Sequence, residues 1–147
     1  MALISGINHI AILTSDLERF IHFYARVFEV DVLFREATPS FQHAILRAGP
    51  SSWLHPVEVP NNAHAAAIPD MFTRGHLDHL ALSASTIQAF ETICNRLVEH
   101  GASNGVVEDL GAFHAIWFTD PDGMRGELSL IVDPDLREFH APRRARE

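Results

Sequence analysis

Ten histidines among 147 residues are the compositional anomaly of this chain, and two of them stand at matched positions. His9 lies in the run Ile7-Asn8-His9-Ile10-Ala11-Ile12 and His79 in Leu77-Asp78-His79-Leu80-Ala81-Leu82, an offset of 70 residues. A neutral imidazole offers one nitrogen lone pair, so two histidines brought together by a repeat are a natural pair of ligands for a divalent cation. A carboxylate joins them. Alternation in the last apolar run puts Glu127, Ser129 and Ile131 on one face and Leu128, Leu130 and Val132 on the other, and the apolar set is the one to pack on a helix. By the same reasoning Ile10, Ile12, Leu80 and Leu82 cover helices, which leaves His9 and His79 on a concave face beside the small residues Ala11 and Ala81. Small neighbours leave room for a metal and a substrate. His55 is a fourth candidate, because it follows His9 by 46 residues while Glu127 follows His79 by 48, making the two pseudo-symmetric mates. Two histidines and one glutamate leave coordination positions open for water and for a substrate, where a metal would act as a Lewis acid.

The elements that must position these side chains repeat as well. Residues 7–13 alternate as a strand, and Ser15-Asp16-Leu17-Glu18 reads as a capping box opening a helix whose apolar stripe is Leu17, Phe20, Ile21, Tyr24, Val27 and Phe28. Strands are predicted over 30–34, 41–46 and 53–59, the last two flanking a Gly-Pro turn. The second unit repeats the order: a strand over 77–83, a helix from Ser85-Thr86-Ile87-Gln88 to Gly101, strands near 105–109 and over 113–119, and a last strand over 126–132 after the turn Asp120-Pro121-Asp122-Gly123. This gives one α+β domain over 1–147: repeat one at about 5–59, a linker or lid at 60–75, repeat two at 76–133 and a tail at 134–147.

A length of 147 residues with 47% apolar content suits one folded domain with a core of its own. No apolar run approaches the roughly 20 residues that cross a bilayer, and Met1-Ala2-Leu3-Ile4 lacks the features of a signal peptide, so the chain reads as soluble and cytoplasmic. A formal charge of −8 argues against nucleic acid or an anionic membrane as partner, while Arg143, Arg144 and Arg146 form a locally basic, solvated end. Cys94 is the only cysteine and is expected to be a buried, reduced thiol.

The runs around His9 and His79, together with Asp120-Pro121-Asp122-Gly123 followed by Glu127-Leu128, resemble the vicinal oxygen chelate superfamily over roughly residues 5–133. That superfamily includes glyoxalase I, extradiol dioxygenases, methylmalonyl-CoA epimerase, and fosfomycin and bleomycin resistance proteins. The resemblance implies two βαβββ repeats forming curved mixed sheets with helices outside, and metal ligands at His9, His79 and Glu127. Glyoxalase-like members add a glutamate at about the place of His55. With His55 the set suits Zn²⁺, Ni²⁺ or Co²⁺; without it the set is the facial triad associated with Fe²⁺. The resemblance also implies a small-molecule substrate with two adjacent oxygens, lyase, isomerase or dioxygenase chemistry on it, and a homodimer in which ligands come from one chain or from two. A metal-free protein that sequesters a drug or metabolite is the competing role. Extradiol enzymes carry a tyrosine where this chain has Trp117, and the arginines at 35, 47 and 74 are scattered rather than clustered for the carboxylates of glutathione. Phe41, Trp53, Phe113 and Trp117 are candidate walls of an apolar pocket. His43, His76 and His114 read as surface residues or as partners that orient a ligand, and His22, His64, His100 and His140 as helix-surface, loop or tail residues.

Overall fold

A computed structural model describes Leu3, residues 7–62 and residues 77–133. His64, His76, His140, Arg74, the tail and most of the proposed lid lie outside the described residues. By backbone contacts the chain falls into two units, Met1–Ile68 and Pro69–Glu147.

In the first unit β1 (His9–Thr14) leads into α1 (Leu17–Phe28), then β2 (Asp31–Ala37), β3 (Gln42–Arg47) and β4 (Trp53–Glu58). The sheet order is β1-β4-β3-β2, with β1 parallel to β4 and the other neighbours antiparallel. The parallel pair is possible because the helix and two further strands intervene between its members. The second unit repeats this plan with β5 (Leu80–Ser83), α2 (Ile87–Glu99), β6 (Val107–Asp109), β7 (Phe113–Thr119) and β8 (Arg125–Ile131), in the order β5-β8-β7-β6. The architecture is therefore α+β with a repeated βαβββ unit, as the duplicated sequence predicts.

Alternation decides which sheet face each helix covers. In the first unit Ile12, Leu46 and Leu54 are buried with Phe20, Tyr24 and Val27 of α1, whereas His9, Ala11 and Leu13 are exposed. In the second, Leu80, Ile116, Phe118 and Leu128 are buried with Phe90 and Leu97 of α2, and Ala81 and Ser83 are exposed.

Both helix starts lie one residue later than the capping boxes predict. Asp16 is the N-cap of α1, its carboxylate accepting from the Arg19 amide at 2.9 Å, and Thr86 caps α2 by accepting from the Ala89 amide at 3.1 Å. Ser15 is displaced from the role because its hydroxyl accepts from the Arg19 guanidinium instead. The first helix gains a second acceptor from the sheet: Glu58 takes the Leu17 amide at 2.6 Å, satisfying another otherwise unpaired donor of the first turn. Cys94 is half-buried rather than fully buried, and burial pushes its thiol pKa up.

Candidate functional site

Each sheet has a face its helix does not cover, and the candidate residues lie there. In the second unit the register sets Ala81 opposite Glu127 and Trp117 opposite Glu127 from the other side, so these side chains share one face. His79 precedes β5 by one residue and brings its Nε2 to 3.5 Å from Glu127 Oε2. The other ring nitrogen, Nδ1, lies 2.7 Å from Asp78 Oδ2. A carboxylate can only accept, so Nδ1 donates to Asp78, and Nε2 is the ring nitrogen that faces Glu127. Glu127 is 5% exposed, and its Oε1 accepts from the Ser129 hydroxyl at 2.6 Å. A carboxylate this deep in a protein needs a cation or hydrogen-bond donors to stay charged. The ring of Trp117 stands edge-on to His79 at 5.0 Å between centroids, donates from Nε1 to Glu108 at 3.2 Å, and carries the Arg125 guanidinium 4.3 Å over its face. Both contacts hold the indole in place.

In the first unit the register sets His9 beside Trp53 and Ala11 beside His55. The His9 and His55 rings are 5.8 Å apart, and His9 Nδ1 lies 2.9 Å from Asn8 Oδ1. His55 reaches across to β3, its Nε2 2.8 Å from His43 Nδ1, while His43 Nε2 lies 3.0 Å from Glu36 Oε2 on β2. Burial first, then the neighbouring His43 and His9, lowers the pKa of His55 and favours its neutral form. Pro56 does not break β4: it is buried and pairs with Ile12 of β1. On the other side the ladder runs Leu46 with Leu54 and then His43 with Val57, and no pair forms between them.

The structure thus brings His79 to Glu127 and His9 to His55. Of the aromatic residues, Trp53 and Trp117 are half-buried, and Phe41 lies against the His43 ring at 5.3 Å. Phe113 is 6% exposed and clusters with Ala112, Ala115 and Leu110. His114 is half-buried in β7 opposite Leu130, and His22 and His100 are exposed. Glu36, Glu108 and Arg125 are not singled out by the sequence pattern. Asp78 and Asn8 were visible as polar residues beside each histidine, but the partners on β2 and β6 depend on strand register.

The family model described as Glyoxalase/Bleomycin resistance protein/Dioxygenase superfamily matches residues 6–128. The chain belongs to this superfamily. Among solved structures it is similar to a glyoxylase/bleomycin resistance protein/dioxygenase domain from Frankia sp. EAN1pec, with 22% identity and a TM-score of 0.74 over 87% of this chain and 98% of that one. It is also similar to the trypanothione-dependent glyoxalase I of Leishmania major, at 22% identity and a TM-score of 0.62 over 84% of this chain and 85% of that one. The fosfomycin resistance protein FosX of Listeria monocytogenes, solved with Mn(II), matches at 18% identity and a TM-score of 0.61 over 87% of this chain and 93% of that one. At these identities the likeness is one of fold. The superfamily fold here carries a donor set whose chemistry suits a divalent cation: an imidazole nitrogen beside a buried carboxylate, with Asp78 on the far side of the ring. Among the described residues no three His, Cys, Asp or Glu side chains group closely enough to hold a metal ion by themselves, so each unit offers a pair.

Proposed function

We propose that this protein is a divalent-metal-dependent enzyme of the vicinal oxygen chelate type, acting on a small substrate with adjacent oxygens by lyase, isomerase or ring-cleaving dioxygenase chemistry. The observation that carries this reading is the pairing of His79 Nε2 with the buried Glu127 carboxylate while Asp78 fixes the ring from Nδ1. His9, with Asn8 at its own Nδ1, repeats half of that arrangement. In the proposal His9, His79 and Glu127 are the ligands, each unit contributing to the set within one chain or across a homodimer, and His55 is the fourth candidate. When bound, the metal would supply Lewis-acid stabilisation of charge developing on the substrate's oxygens.

The remaining work falls to side chains of this chain. Asp78 and Asn8 hold the imidazoles in the tautomer that leaves Nε2 bare. Ser129 ties down one oxygen of Glu127 and leaves the other for a ligand. Glu127 and His55 are the candidates to take or return a proton, His55 because its surroundings keep it neutral. Phe41, Trp53 and Trp117 present half-buried aromatic surface that suits a small conjugated or aromatic substrate. Exposed Val32, Leu33 and Phe34 on the edge strand β2 give a second copy an apolar surface to pair with, which supports the homodimer. A cytoplasmic location is part of the proposal. Among the described residues no helix is long and apolar enough to cross a membrane.

The test is metal analysis of protein purified without chelator, followed by turnover assays with a thiol-derived hemithioacetal and with a catechol, before and after His55→Ala. Stoichiometric divalent metal with turnover of either substrate supports the reading. Absence of both, with tight binding of an aromatic ligand read by tryptophan fluorescence, would favour a metal-free binding or antibiotic-resistance protein, for which the half-buried Trp53 and Trp117 are the observation in favour.

A further inference from the structure

The three candidate histidines differ in which ring nitrogen is already engaged. His9 and His79 each meet an oxygen through Nδ1, Asn8 Oδ1 at 2.9 Å and Asp78 Oδ2 at 2.7 Å, which reserves Nε2. His55 is engaged through Nε2, and its partner is another imidazole. The proton positions along this chain follow from its end. The Glu36 carboxylate only accepts, so His43 donates to it from Nε2. A neutral His43 then has a bare Nδ1, which accepts from Nε2–H of His55 across 2.8 Å. The lone pair of His55 is left on Nδ1. Phe34 and Phe41 flank the His43 ring at 5.5 and 5.3 Å and limit its rotation.

We propose that Glu36 and His43 are positioning residues which hold His55 as its Nε2–H tautomer, so that the nitrogen His55 offers to a ligand is Nδ1, opposite to the nitrogen offered by His9 and His79. Histidines that bind metals ordinarily pass their second N–H to a carboxylate or a carbonyl. Here one imidazole is inserted between the ring and its carboxylate. The proposal about the tautomer is independent of metal binding; only the use of a metal as probe rests on the function proposed above.

The experiment uses the full chain labelled with nitrogen-15 at histidine, metal-free, at about pH 8, above the ordinary histidine pKa of about 6.5. Long-range proton–nitrogen correlation spectra identify each tautomer. The expected pattern is a protonated Nε2 and bare Nδ1 for both His43 and His55. His43→Phe should turn His55 into an averaged mixture of tautomers. Glu36→Leu, at a surface position, should shift it part of the way, whereas Glu36→Gln, which keeps an acceptor oxygen, should retain the wild-type pattern. An Nδ1–H tautomer in the wild type would overturn the proposal. So would a wild-type pattern that survives in both His43→Phe and Glu36→Leu, with folding checked by circular dichroism. Added Zn²⁺ is expected to perturb His55 at Nδ1 with Nε2–H retained, and coordination through Nε2 with loss of that proton would also overturn it. Protein that takes up no Zn²⁺ while showing the predicted tautomer would defeat the proposed function and leave this inference standing.

Discussion

The two units share a backbone plan but have filled equivalent positions with different chemistry. Positions offset by 72 residues correspond in β2–β4 and β6–β8, so Glu36 matches Glu108, His43 matches Ala115, and His55 matches Glu127. The acid on the edge strand is kept, yet in the first unit it meets His43 and in the second it takes the indole N–H of Trp117. One open face therefore carries a run of imidazoles, and the other a buried carboxylate with one imidazole and a clamped indole. The same divergence occurs under the helices. Leu54 packs opposite Leu46 in the first unit, and at the matching positions Gly126 lies opposite Phe118, whose ring would be 2.1 Å from a Cβ at residue 126. Two medium residues are matched by one absent side chain and one large one, and the Phe118 ring takes the space that a side chain at residue 126 would need.

The comparison is most severely tested at Glu127 and His55. Glu127→Ala is expected to abolish stoichiometric metal, measured by elemental analysis, whereas His55→Ala should retain metal and change only which cation is preferred. Equal losses from both would mean the two units contribute alike. Next in size, Gly126→Leu should cost about 1–3 kcal/mol or more in denaturant unfolding through overpacking against Phe118, and Phe118→Leu in the same chain should recover most of that loss. A double variant no more stable than Gly126→Leu would show that the two cores are not interchangeable. For the partners of the histidines, Asp78→Ala should weaken metal binding about 10–100-fold, and Asn8→Ala should do less because a neutral amide accepts more weakly than a carboxylate. Calorimetric titration with Zn²⁺ reads the two side by side, and a larger effect from Asn8 would reverse the assignment of the stronger half-site. The smallest effect concerns pH. The pKa of His55 is lowered in the folded protein, so the stability tied to its neutral form is present above the ordinary value of about 6.5 and declines as pH falls through the lowered one. His55→Gln should flatten the fall in melting temperature over that acidic range, and an unchanged slope would assign the fall to other groups.

Much of this was legible from residue types and spacing. The offset between His9 and His79 predicts the repeated unit, and alternation in β1 and β8 places His9 and Glu127 on the face opposite their helices. The first helix starts one residue later than the pattern Ser-x-x-Glu predicts, because that pattern ignores competition for the Ser15 hydroxyl by Arg19. Phe113 sits in a buried cluster with Ala112 and Ala115, a setting that alternation within β7 alone does not reveal. Hardest to foresee was the run from Glu36 through His43 to His55. It crosses three strands, and single-strand alternation fixes which face a residue takes but not which residue of a neighbouring strand lies beside it.

The parallel pairing of β1 with β4, and of β5 with β8, also has a consequence for the order of assembly. His9 pairs with Trp53 and Leu80 with Gly126, so each pairing closes a loop of about 45 residues, while β3 and β4 or β7 and β8 meet across a short turn. Such long closures carry their entropic cost before any contact repays it, which makes these the slow pairings of each unit. The strands they dock are the ones that bring His9 beside His55 and His79 beside Glu127. Each unit is thus built so that its antiparallel strands can form a template before its candidate ligands meet, and amide exchange should find β1 and β5 opening ahead of the hairpins they join.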